Sequence, residues 1–493
     1  MKMRLFEVAA ALSIASSGSG APVLAPAAPL APGLQQFVSV QAGRIALTHV
    51  RVIDGTGAAP IEDETILIDG TKIAALQGAS APIPSAYRTI DLKGASVLPG
   101  LVGMHNHMFY IARPNIDAAG HFEDPLVVPQ MTFSAPRLYL ANGVTTMRTT
   151  GSVEPYADLN VKAEIDSGKM VGPHMDVTGP YLEGSGSYFI QMHQIISPED
   201  AQRTVAFWAE QGATSFKAYM NITRAELKAA IDEAHRRHLK ITGHLCSVTY
   251  PEAAELGIDD LEHGFFVNTQ LDPGKQPDKC SEGQGTPTLV AMKPGSPQAN
   301  ALIKLLVGKH VAVTSTLPVF EQSLPLHAPL NPKAMAVLTP EAKESYLYLR
   351  NLAATRGSTP RGQAFAQAYS NDLGLERQFV AAGGLLLAGP DPTGNGGVIP
   401  GFGDLREMEL LVDAGFSPLE AVRIATLNGA TFMGLQNEIG SIAPGKDADL
   451  IIVRGNPAAD IHDVEKVETV FKDGVGYDSA RLLGSVAGRY GEY

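Results

Sequence analysis

The sequence of 493 residues predicts an α/β fold, a (β/α)8 TIM barrel with a small β-sandwich domain formed from both chain ends. Three observations predict it. The middle of the chain alternates short apolar strands with amphipathic helical segments, the pattern of repeated β-α units around a parallel sheet. Both chain ends instead hold closely spaced strand segments divided by turn residues. Finally, metal-binding residue types recur where the central strands stop, which is the face of a barrel on which active sites lie.

The N-terminus has the parts of a secretory signal peptide. Lys2 and Arg4 precede an apolar stretch, interrupted by Glu7, and small residues follow, so residues 1–20 are predicted to be a signal peptide. Residues 21–40 are rich in Ala and Pro and are predicted to form an extended linker without packed structure. The sequence therefore predicts a periplasmic or secreted protein, and a cytoplasmic one if the chain is not processed.

The net charge narrows the classes of binding partner. The chain has 38 basic and 51 acidic residues, a net charge of -13, which argues against nucleic acid or an anionic membrane as partner. A small-molecule substrate is expected, and a homo-oligomer is left open.

Cys246 and Cys280 are compatible with one disulfide. Because Cys246 follows His244 by two residues, a buried thiol beside the site and a ligand are alternatives.

Short β-rich segments at the two ends are incomplete on their own. Residues 41–97 and 435–478 are therefore predicted to form one composite β-sandwich domain, leaving residues 98–434 as a single large unit. The strand segments are closely spaced, which favours an antiparallel sheet. They are predicted at residues 44–53, 65–69, 72–76, 449–454 and 467–472.

The central unit supplies eight apolar strands, which close most simply as a barrel. Residues 198–211 and 418–427 are predicted helices whose Ser-Pro beginnings suit an N-cap followed by the first helical position. The strands are predicted at the run before His105 and His107 and at residues 143–148, 175–178, 214–219, 240–245, 260–265, 311–316 and 385–388.

Two long connections follow the sixth and seventh strands. Residues 268–298 are rich in Gly, Pro, Lys and Gln, and residues 317–384 are long enough for several helices. Both leave the carboxyl ends of strands, so they are predicted to be lid or substrate loops. A solvated insertion is an equal alternative for the first connection.

Metal-ligand residue types lie at or just beyond the ends of five strands. The apolar run over residues 97–104 ends in His105-Asn106-His107. In an extended strand these two imidazoles project to the same side, as ligands of one metal ion must. The other side chains of this type are Lys217, His244, His263 and Asp391.

These residues resemble the amidohydrolase superfamily over residues 41–478. Residues 98–107, LPGLVGMHNH, look like its first-strand signature, with Met104 where an acidic or polar residue is commoner. Residues 428–431, NGAT, and residues 440–450, GSIAPGKDADL, look like its closing signature. The resemblance implies the barrel fold and a metal-dependent hydrolase. These motifs are much less specific for the substrate.

The resemblance also implies a binuclear site, most often zinc. By match, His105, His107 and Asp391 would hold one ion and His244 and His263 the other. Lys217, carboxylated by carbon dioxide, would bridge the two ions, since a carbamate offers two oxygens whereas an ammonium cannot bind a cation. In such a site a metal-bridging hydroxide attacks the substrate carbonyl, and Asp391 is the catalytic proton acceptor.

Within the superfamily the chain looks most similar to the imidazolonepropionase-related group, which includes prolidase-like carboxypeptidases and ochratoxinase-like amidases. That similarity implies a peptidase or amidase that cleaves the amide C–N bond of an N-acyl amino acid or a dipeptide-like substrate. A lactonase or esterase is the alternative, because the same hydroxide attacks esters. A noncatalytic barrel scaffold would lack ligands, and here all six positions are filled.

Five further residues are predicted to contact the substrate. Tyr219 and Tyr250 are candidate donors to the substrate carbonyl oxygen, each with packing as its alternative role. His121 and His193 follow the first and third strands on the side of the site. Arg148, at the end of the second strand, could bind a substrate carboxylate with two hydrogen bonds, although a salt bridge at the rim is the alternative.

Overall fold

The computed structural model describes residues 24–25, 27–111, 128–187, 189–394 and 397–491. The predicted signal peptide, the beginning of the predicted linker and His121 lie outside these residues. Within them, no helix is both long and apolar enough to cross a bilayer.

A large, mostly antiparallel sheet takes strands from both ends of the chain. Its order is β1, β18, β17, β16, β6, β2, β3, β4, and β5 pairs with β2. The pairs β2–β5 and β2–β6 are parallel, so the sheet is mixed rather than purely antiparallel as predicted. The strands are β1 (Val38–Val40), β2 (Gly43–Val52), β3 (Ile61–Gly70), β4 (Lys72–Gly78), β5 (Arg88–Asp91), β6 (Ser96–Pro99), β16 (Leu450–Val453), β17 (Val467–Lys472) and β18 (Val475–Asp478).

The two chain ends meet where β6 lies between β2 and β16. Val97 of β6 is opposite Ile452 of β16, and both belong to one buried cluster with Ile66 and Phe471. Leu98, the next residue of β6, belongs instead to the large central core, so successive residues bury both faces of the sheet here. Joint formation of one sheet by the two ends agrees with the prediction, while the sandwich and its exact bounds stay predictions.

The predicted linker over residues 21–40 is wrong at its C-terminal end. Val38–Val40 is strand β1, which pairs antiparallel with β18. Phe37 is buried, and the backbone N–H of Ala31 donates to the carbonyl of Gly168 at 2.8 Å. The Ala/Pro content suggested an extended segment, but the apolar residues that end it gain free energy by packing against the sheet.

The central part of the chain forms parallel sheets, which confirms the predicted α/β class. One sheet has the order β7, β8, β9 and the other the order β10 to β15. The backbone N–H of Met104, just after β7, donates to the carbonyl of Ala388 in β15 at 2.8 Å. The strands are β7 (Leu101–Gly103), β8 (Val144–Arg148), β9 (His174–Asp176), β10 (Thr178–Leu182), β11 (Ser215–Ala218), β12 (Lys240–Gly243), β13 (Asp260–Glu262), β14 (Ala312–Ser315) and β15 (Leu386–Ala388).

The third predicted strand is divided in the structure. Instead of one strand over residues 175–178, β9 pairs with β8 and β10 pairs with β11, and Val177 separates them. Each of these two strands therefore pairs with a different neighbouring strand. Gly100 alone separates β6 of the large sheet from β7 of the parallel sheet.

Helices cover the parallel sheets and fill the two long connections. Ser197 accepts a hydrogen bond from the Asp200 N–H and Ser417 one from the Glu420 N–H, which confirms both predicted N-caps. The helices are α1 (Ala135–Ala141), α2 (Pro155–Asp166), α3 (Pro198–Gln211), α4 (Arg224–Arg236), α5 (Tyr250–Leu256), α6 (Thr286–Ala291), α7 (Pro297–Gly308), α8 (Leu317–Glu321), α9 (Pro332–Val337), α10 (Pro340–Arg356), α11 (Pro360–Ala381), α12 (Phe402–Asp413), α13 (Pro418–Arg423), α14 (Gly429–Met433) and α15 (Ser479–Ser485).

Candidate metal centre

The six predicted ligand positions lie at one end of the parallel strands. Lys217 is within β11, His244 and His263 directly follow β12 and β13, and Asp391 follows β15 by three residues. His105 and His107 lie beyond the end of β7, which stops at Gly103, so their placement does not come from strand alternation as predicted. Instead, backbone hydrogen bonds fix this segment: Asn106 N–H donates to the Arg148 carbonyl and Asp391 N–H to the His105 carbonyl, both at 3.1 Å.

The structure brings these six side chains into contact. Lys217 Nζ is 3.0 Å from His105 Nε2, and Asp391 Oδ1 is 3.0 Å from His107 Nε2 and 3.7 Å from His105 Nε2. The ring centroid of His263 is 4.6 Å from that of His105 and 4.4 Å from that of His244. One nitrogen of each of His105 and His107 and one oxygen of Asp391 lie close enough together to hold a metal ion.

Glu262 and Arg148 orient the first histidine. His105 Nδ1–H donates to Glu262 Oε2 at 2.7 Å, which leaves the lone pair of Nε2 facing Lys217. Arg148 donates to Glu262 at 2.9 Å and to Asp260 at 2.6 Å, so the carboxylate is itself held. A carboxylate behind a ligand histidine fixes its tautomer and orientation. Glu262 is not among the site residues predicted from the sequence, although an acidic residue next to His263 at the end of an apolar strand was a usable signal.

Burial keeps the histidines neutral. It is the largest cause that lowers the pKa of His105, His107 and His263, and it lowers the pKa of His244 to about 3. The nearby Lys217 also lowers the pKa of each ring. A neutral imidazole has the lone pair that a metal needs, so this environment favours metal binding over protonation.

Burial by itself would raise the pKa of Asp391. The polar environment of His105, the hydrogen bond with His107 and the nearby Lys217 outweigh it, and the pKa of Asp391 is held far below its usual range. The Asp391 side chain keeps 16% of its surface exposed, whereas those of His105 and His107 keep 1% or less. Asp391 is therefore ionised at neutral pH and is reachable from outside the cluster.

The backbone around the cluster has unusual geometry at three points. His263 and Asp391 have positive φ angles of 69° and 55°, a region in which residues other than Gly are uncommon, although Asn, Asp and His adopt it more often than the rest. A Cβ at Gly389 would lie 2.1 Å from the backbone nitrogen of His105, so only glycine lets the segment after β15 approach so closely. Strain of this kind persists where surrounding structure enforces a functional geometry.

Two of the predicted substrate contacts are contradicted by their placement. Arg148 is buried, with its guanidinium bound to Asp260, Glu262 and the Met104 carbonyl, so it is not available to a substrate carboxylate. Tyr250 is also buried, and its hydroxyl lies 2.8 Å from the carbonyl of Glu262. Both side chains therefore stabilise the ends of strands through buried hydrogen bonds, Arg148 at the end of β8 and Tyr250 at the end of β13.

The other predicted contacts stay predictions. The Tyr219 ring is 4.8 Å from His244 and 4.7 Å from Tyr181, a neighbour that the sequence did not indicate. His193 is exposed and binds Asp200 at 3.0 Å. His121 is outside the described residues.

A cavity of about 680 Å³ opens beside His244, and both long connections line it. The structure joins Cys246 to Cys280 in a disulfide, which selects one of the three alternatives left open above. This bond holds the connection of residues 268–298 against the end of β12. Cavities of this size bind small ligands, so the connections are placed as substrate loops would be.

A second group of possible ligands lies away from this cluster, where β9 meets the large sheet. His174 Nε2 is 3.3 Å from Asp473 Oδ1 and 4.0 Å from Asp449 Oδ2. Lys472 Nζ binds the other oxygen of Asp473 at 3.2 Å. That ammonium already supplies a positive charge, so we assign this group a structural role.

Curated relatives match short segments only. Adenine deaminase 1 of Jannaschia sp. (strain CCS1) is 49% identical over 49 residues, which are 10% of this chain and 8% of that protein. Adenine deaminase of Paracoccus denitrificans (strain Pd 1222) is 42% identical over 70 residues, 14% of this chain and 11% of that protein. The chain thus spans about a tenth of the length of these relatives.

Solved structures match over nearly the whole chain. A putative prolidase from Bifidobacterium longum has a TM-score of 0.62 at 23% identity, covering 90% of this chain and 99% of that chain. For A. niger ochratoxinase the TM-score is 0.63 at 18% identity, with coverage of 89% and 96%. For a bottromycin amidohydrolase it is 0.66 at 19% identity, with coverage of 93% and 94%. At these identities the likeness is one of fold.

Family membership rests on the sequence. The sequence model of the amidohydrolase family matches residues 96–315 and 379–476, which include all six predicted ligand positions and the closing signature. Because this match extends over more than half of the chain, the protein belongs to the amidohydrolase family.

Proposed function

We propose that the protein is a binuclear metal-dependent amidohydrolase that cleaves the amide C–N bond of N-acyl amino acids or dipeptide-like substrates. The observation that carries this proposal is the convergence of four neutral histidines, one ionised carboxylate and one lysine at the end of the parallel strands. His105 Nε2 lies within 3.7 Å of both Lys217 Nζ and Asp391 Oδ1.

The donor set fits two divalent ions, and we propose zinc. Two imidazoles and a carboxylate from His105, His107 and Asp391 would hold one ion, and His244 with His263 would hold the other. His263 Nδ1 is hydrogen-bonded to Thr316, while its buried Nε2 has no partner in the described part of the chain. A buried polar atom without a partner is costly, and a bound cation would satisfy it.

We further propose that Lys217 is carboxylated and bridges the ions. Burial lowers the pKa of Lys217 to about 8, although Glu262 and Asp391 oppose the shift. A neutral amine adds to carbon dioxide, forming an N–C bond and releasing a proton, and the resulting carbamate is anionic. The change replaces a cation that repels metals with two ligand oxygens.

The metal ions, when bound, would activate a water molecule and polarise the substrate carbonyl. Asp391, ionised and partly exposed, accepts the proton of the attacking water as the C–O bond forms. The same carboxyl group then gives this proton to the leaving nitrogen as the C–N bond breaks. Glu262 keeps His105 in the required tautomer throughout.

Three further proposals concern the frame of this site. The hydrogen bond from Met104 to Ala388 supports closure of the parallel strands into a (β/α)8 barrel over residues 98–434. The shared sheet supports a β-sandwich domain made of residues 41–97 and 435–478. The basic, apolar and small-residue regions of residues 1–20 support export to the periplasm or beyond.

A lactonase or esterase uses the same residues and is the alternative reaction. The experiment is hydrolysis of N-acyl amino acids, dipeptides, lactones, aryl esters and adenine by zinc-loaded protein, followed by mass spectrometry. We expect release of free amino acids that stops when a chelator removes the metal. Cleavage of esters alone would favour the alternative, and release of ammonia from adenine would point to deamination, the reaction in the names of the short-matching relatives.

Asp391→Asn is the variant that tests the proton transfer. We expect kcat to fall by roughly a hundredfold to ten-thousandfold, the usual size of general acid-base contributions. Asp413→Asn, at the exposed end of α12, is the matched control and should keep full activity. Unchanged hydrolysis by Asp391→Asn with full metal content would refute the role of Asp391.

A further inference from the structure

The cavity beside His244 is built partly from a segment outside the family match. Residues 316–378 lie between the two matched parts of the chain, and they contribute Phe320, Arg361 and Phe365 to its wall. Other parts of its wall come from the connection held by the Cys246–Cys280 disulfide. The cavity therefore joins residues of both long connections to the residue His244 of the candidate metal centre.

Aromatic rings line the path away from the metal centre. Phe320 contacts His263 edge to face, with ring centroids 5.7 Å apart, and stacks on Phe266 at 3.8 Å. Phe365 continues the wall, with its centroid 5.6 Å from that of Phe266 and 6.5 Å from that of Phe320. Flat apolar groups gain free energy from burial between such rings.

Arg361 adds a cation to the lining of the cavity. It precedes Phe365 by four residues in α11, so the two side chains share a face of that helix, and both line the cavity. Its guanidinium is exposed and makes no hydrogen bond or ion pair with any residue that the structure describes. Arg148, Arg224 and Arg406, in contrast, are each paired with two carboxylates.

Glu282 also lines the cavity, on the disulfide-held connection, but it is not within ion-pair distance of Arg361. The guanidinium is therefore left for a ligand. A planar guanidinium binds carboxylate or phosphate with two parallel hydrogen bonds. Phe320 and Phe365 link His263 to the turn of α11 that carries Arg361, so an anion at Arg361 would lie an aromatic group away from the scissile bond.

We propose that Arg361 is a specificity-determining residue for substrates in which an elongated aromatic group joins the scissile amide to an acidic terminus. This inference rests on the proposed hydrolysis for its biological meaning, but the charge preference of the cavity is measurable without catalysis. The cavity volume of about 680 Å³ accommodates such a group.

The test uses two rod-shaped probes, biphenyl-4-carboxylate and its neutral counterpart biphenyl-4-carboxamide, titrated calorimetrically into the zinc-loaded protein. We expect the carboxylate to bind roughly threefold to tenfold more tightly, as for an ion pair at a partly exposed site. Arg361→Gln should abolish this preference, and Glu282→Gln should increase it. Arg356→Gln removes an exposed arginine that does not line the cavity and should change nothing.

Two results would overturn the proposal. One is a carboxylate preference that persists in Arg361→Gln, which would place the anion at the metal centre instead. The other is equal binding, or no binding, of the two probes by the wild-type protein. If the preference depends on Arg361 but no amide in the panel is hydrolysed, the proposed reaction fails and the specificity of the cavity stands.

Discussion

At the scale of single residues, Lys217 decides under the proposed mechanism how many metal ions the site can hold. Its pKa of about 8, set by burial, means that the reactive neutral amine increases as pH rises from 7 to 9. We expect metal-free protein in bicarbonate to take up two ions faster at pH 9 than at pH 7. In labelled bicarbonate, a carbamate signal should appear in the carbon NMR spectrum.

Lys217→Ala should lose this signal and retain at most one ion per chain, with activity partly restored by added short-chain acids that replace the carbamate oxygens. Lys228→Ala removes an exposed lysine of α4 and is the matched control. Two ions and normal activity in Lys217→Ala, without added acids, would reject the bridge.

The convergence of the six candidate ligand residues could be predicted because their signal is local. Each lies where an apolar run stops, and the carboxyl ends of parallel strands share one edge. The roles of Arg148 and Tyr250 could not be predicted in this way. The partners of Arg148 are Asp260 and Glu262, more than a hundred residues later, and only the fold reveals that those carboxylates neutralise it.

At the scale of elements, the disulfide fixes one wall of the cavity. Cys246 and Cys280 are separated by 34 residues, so Cys280→Ser should lower the free energy of unfolding by about 2 to 4 kcal/mol, as for loops of this size. Chemical denaturation checks this value. The apparent affinity for biphenyl probes should fall as well, because residues 282–290 are no longer held opposite α11.

Wild-type protein treated with a reductant should behave like Cys280→Ser, whereas the variant itself should not respond to reductant. Equal stability of the wild-type protein with and without reductant, once reduction is verified by mass spectrometry, would show that the connection is held by its noncovalent contacts alone.

Elements with strong local signals were predicted well. Helix α3 has the predicted bounds because its Ser197-Pro198 start and Gly212 end are set by short-range bonding. The division of the third strand into β9 and β10 was not predictable, since it depends on two different neighbours. The cavity walls were equally hidden, because they join residues of α8, α11 and the disulfide-held connection.

At the scale of the whole molecule, buried carboxyl groups occur in both the parallel and the large sheet regions. Burial raises the pKa of Asp372 and of Glu407 to about 8, and it also raises that of Glu376. In the large sheet, burial raises the pKa of Asp449 to about 8. These groups hold protons in the folded protein at neutral pH, whereas in the unfolded chain they would be ionised.

Stability should therefore fall as pH rises from 7 to 8. A group whose pKa is higher in the folded than in the unfolded protein makes its full contribution to stability below its unfolded pKa. As pH rises from the unfolded to the folded pKa, it loses that contribution at about 1.4 kcal/mol per pH unit. The buried histidines have lowered pKa values, so they make the protein more stable as pH rises, but this effect ends near pH 6.5. Between pH 7 and 8 the Lys217 amine deprotonates only in part, because its pKa is about 8, so it opposes the fall by less than one proton. The several buried carboxyl groups therefore dominate this interval.

Urea denaturation of chelator-treated protein at pH 6.5, 7, 7.5 and 8 measures this dependence without a contribution from metal release. Glu407→Gln keeps the oxygen that accepts the Leu317 N–H bond but cannot ionise. It should therefore reduce the slope of the unfolding free energy against pH by the contribution of about one proton. Glu341→Gln, at the exposed start of α10, should leave the slope unchanged. A free energy of unfolding that rises over this interval, or the same slope in Glu407→Gln, would mean that these carboxyl groups are ionised within the folded protein.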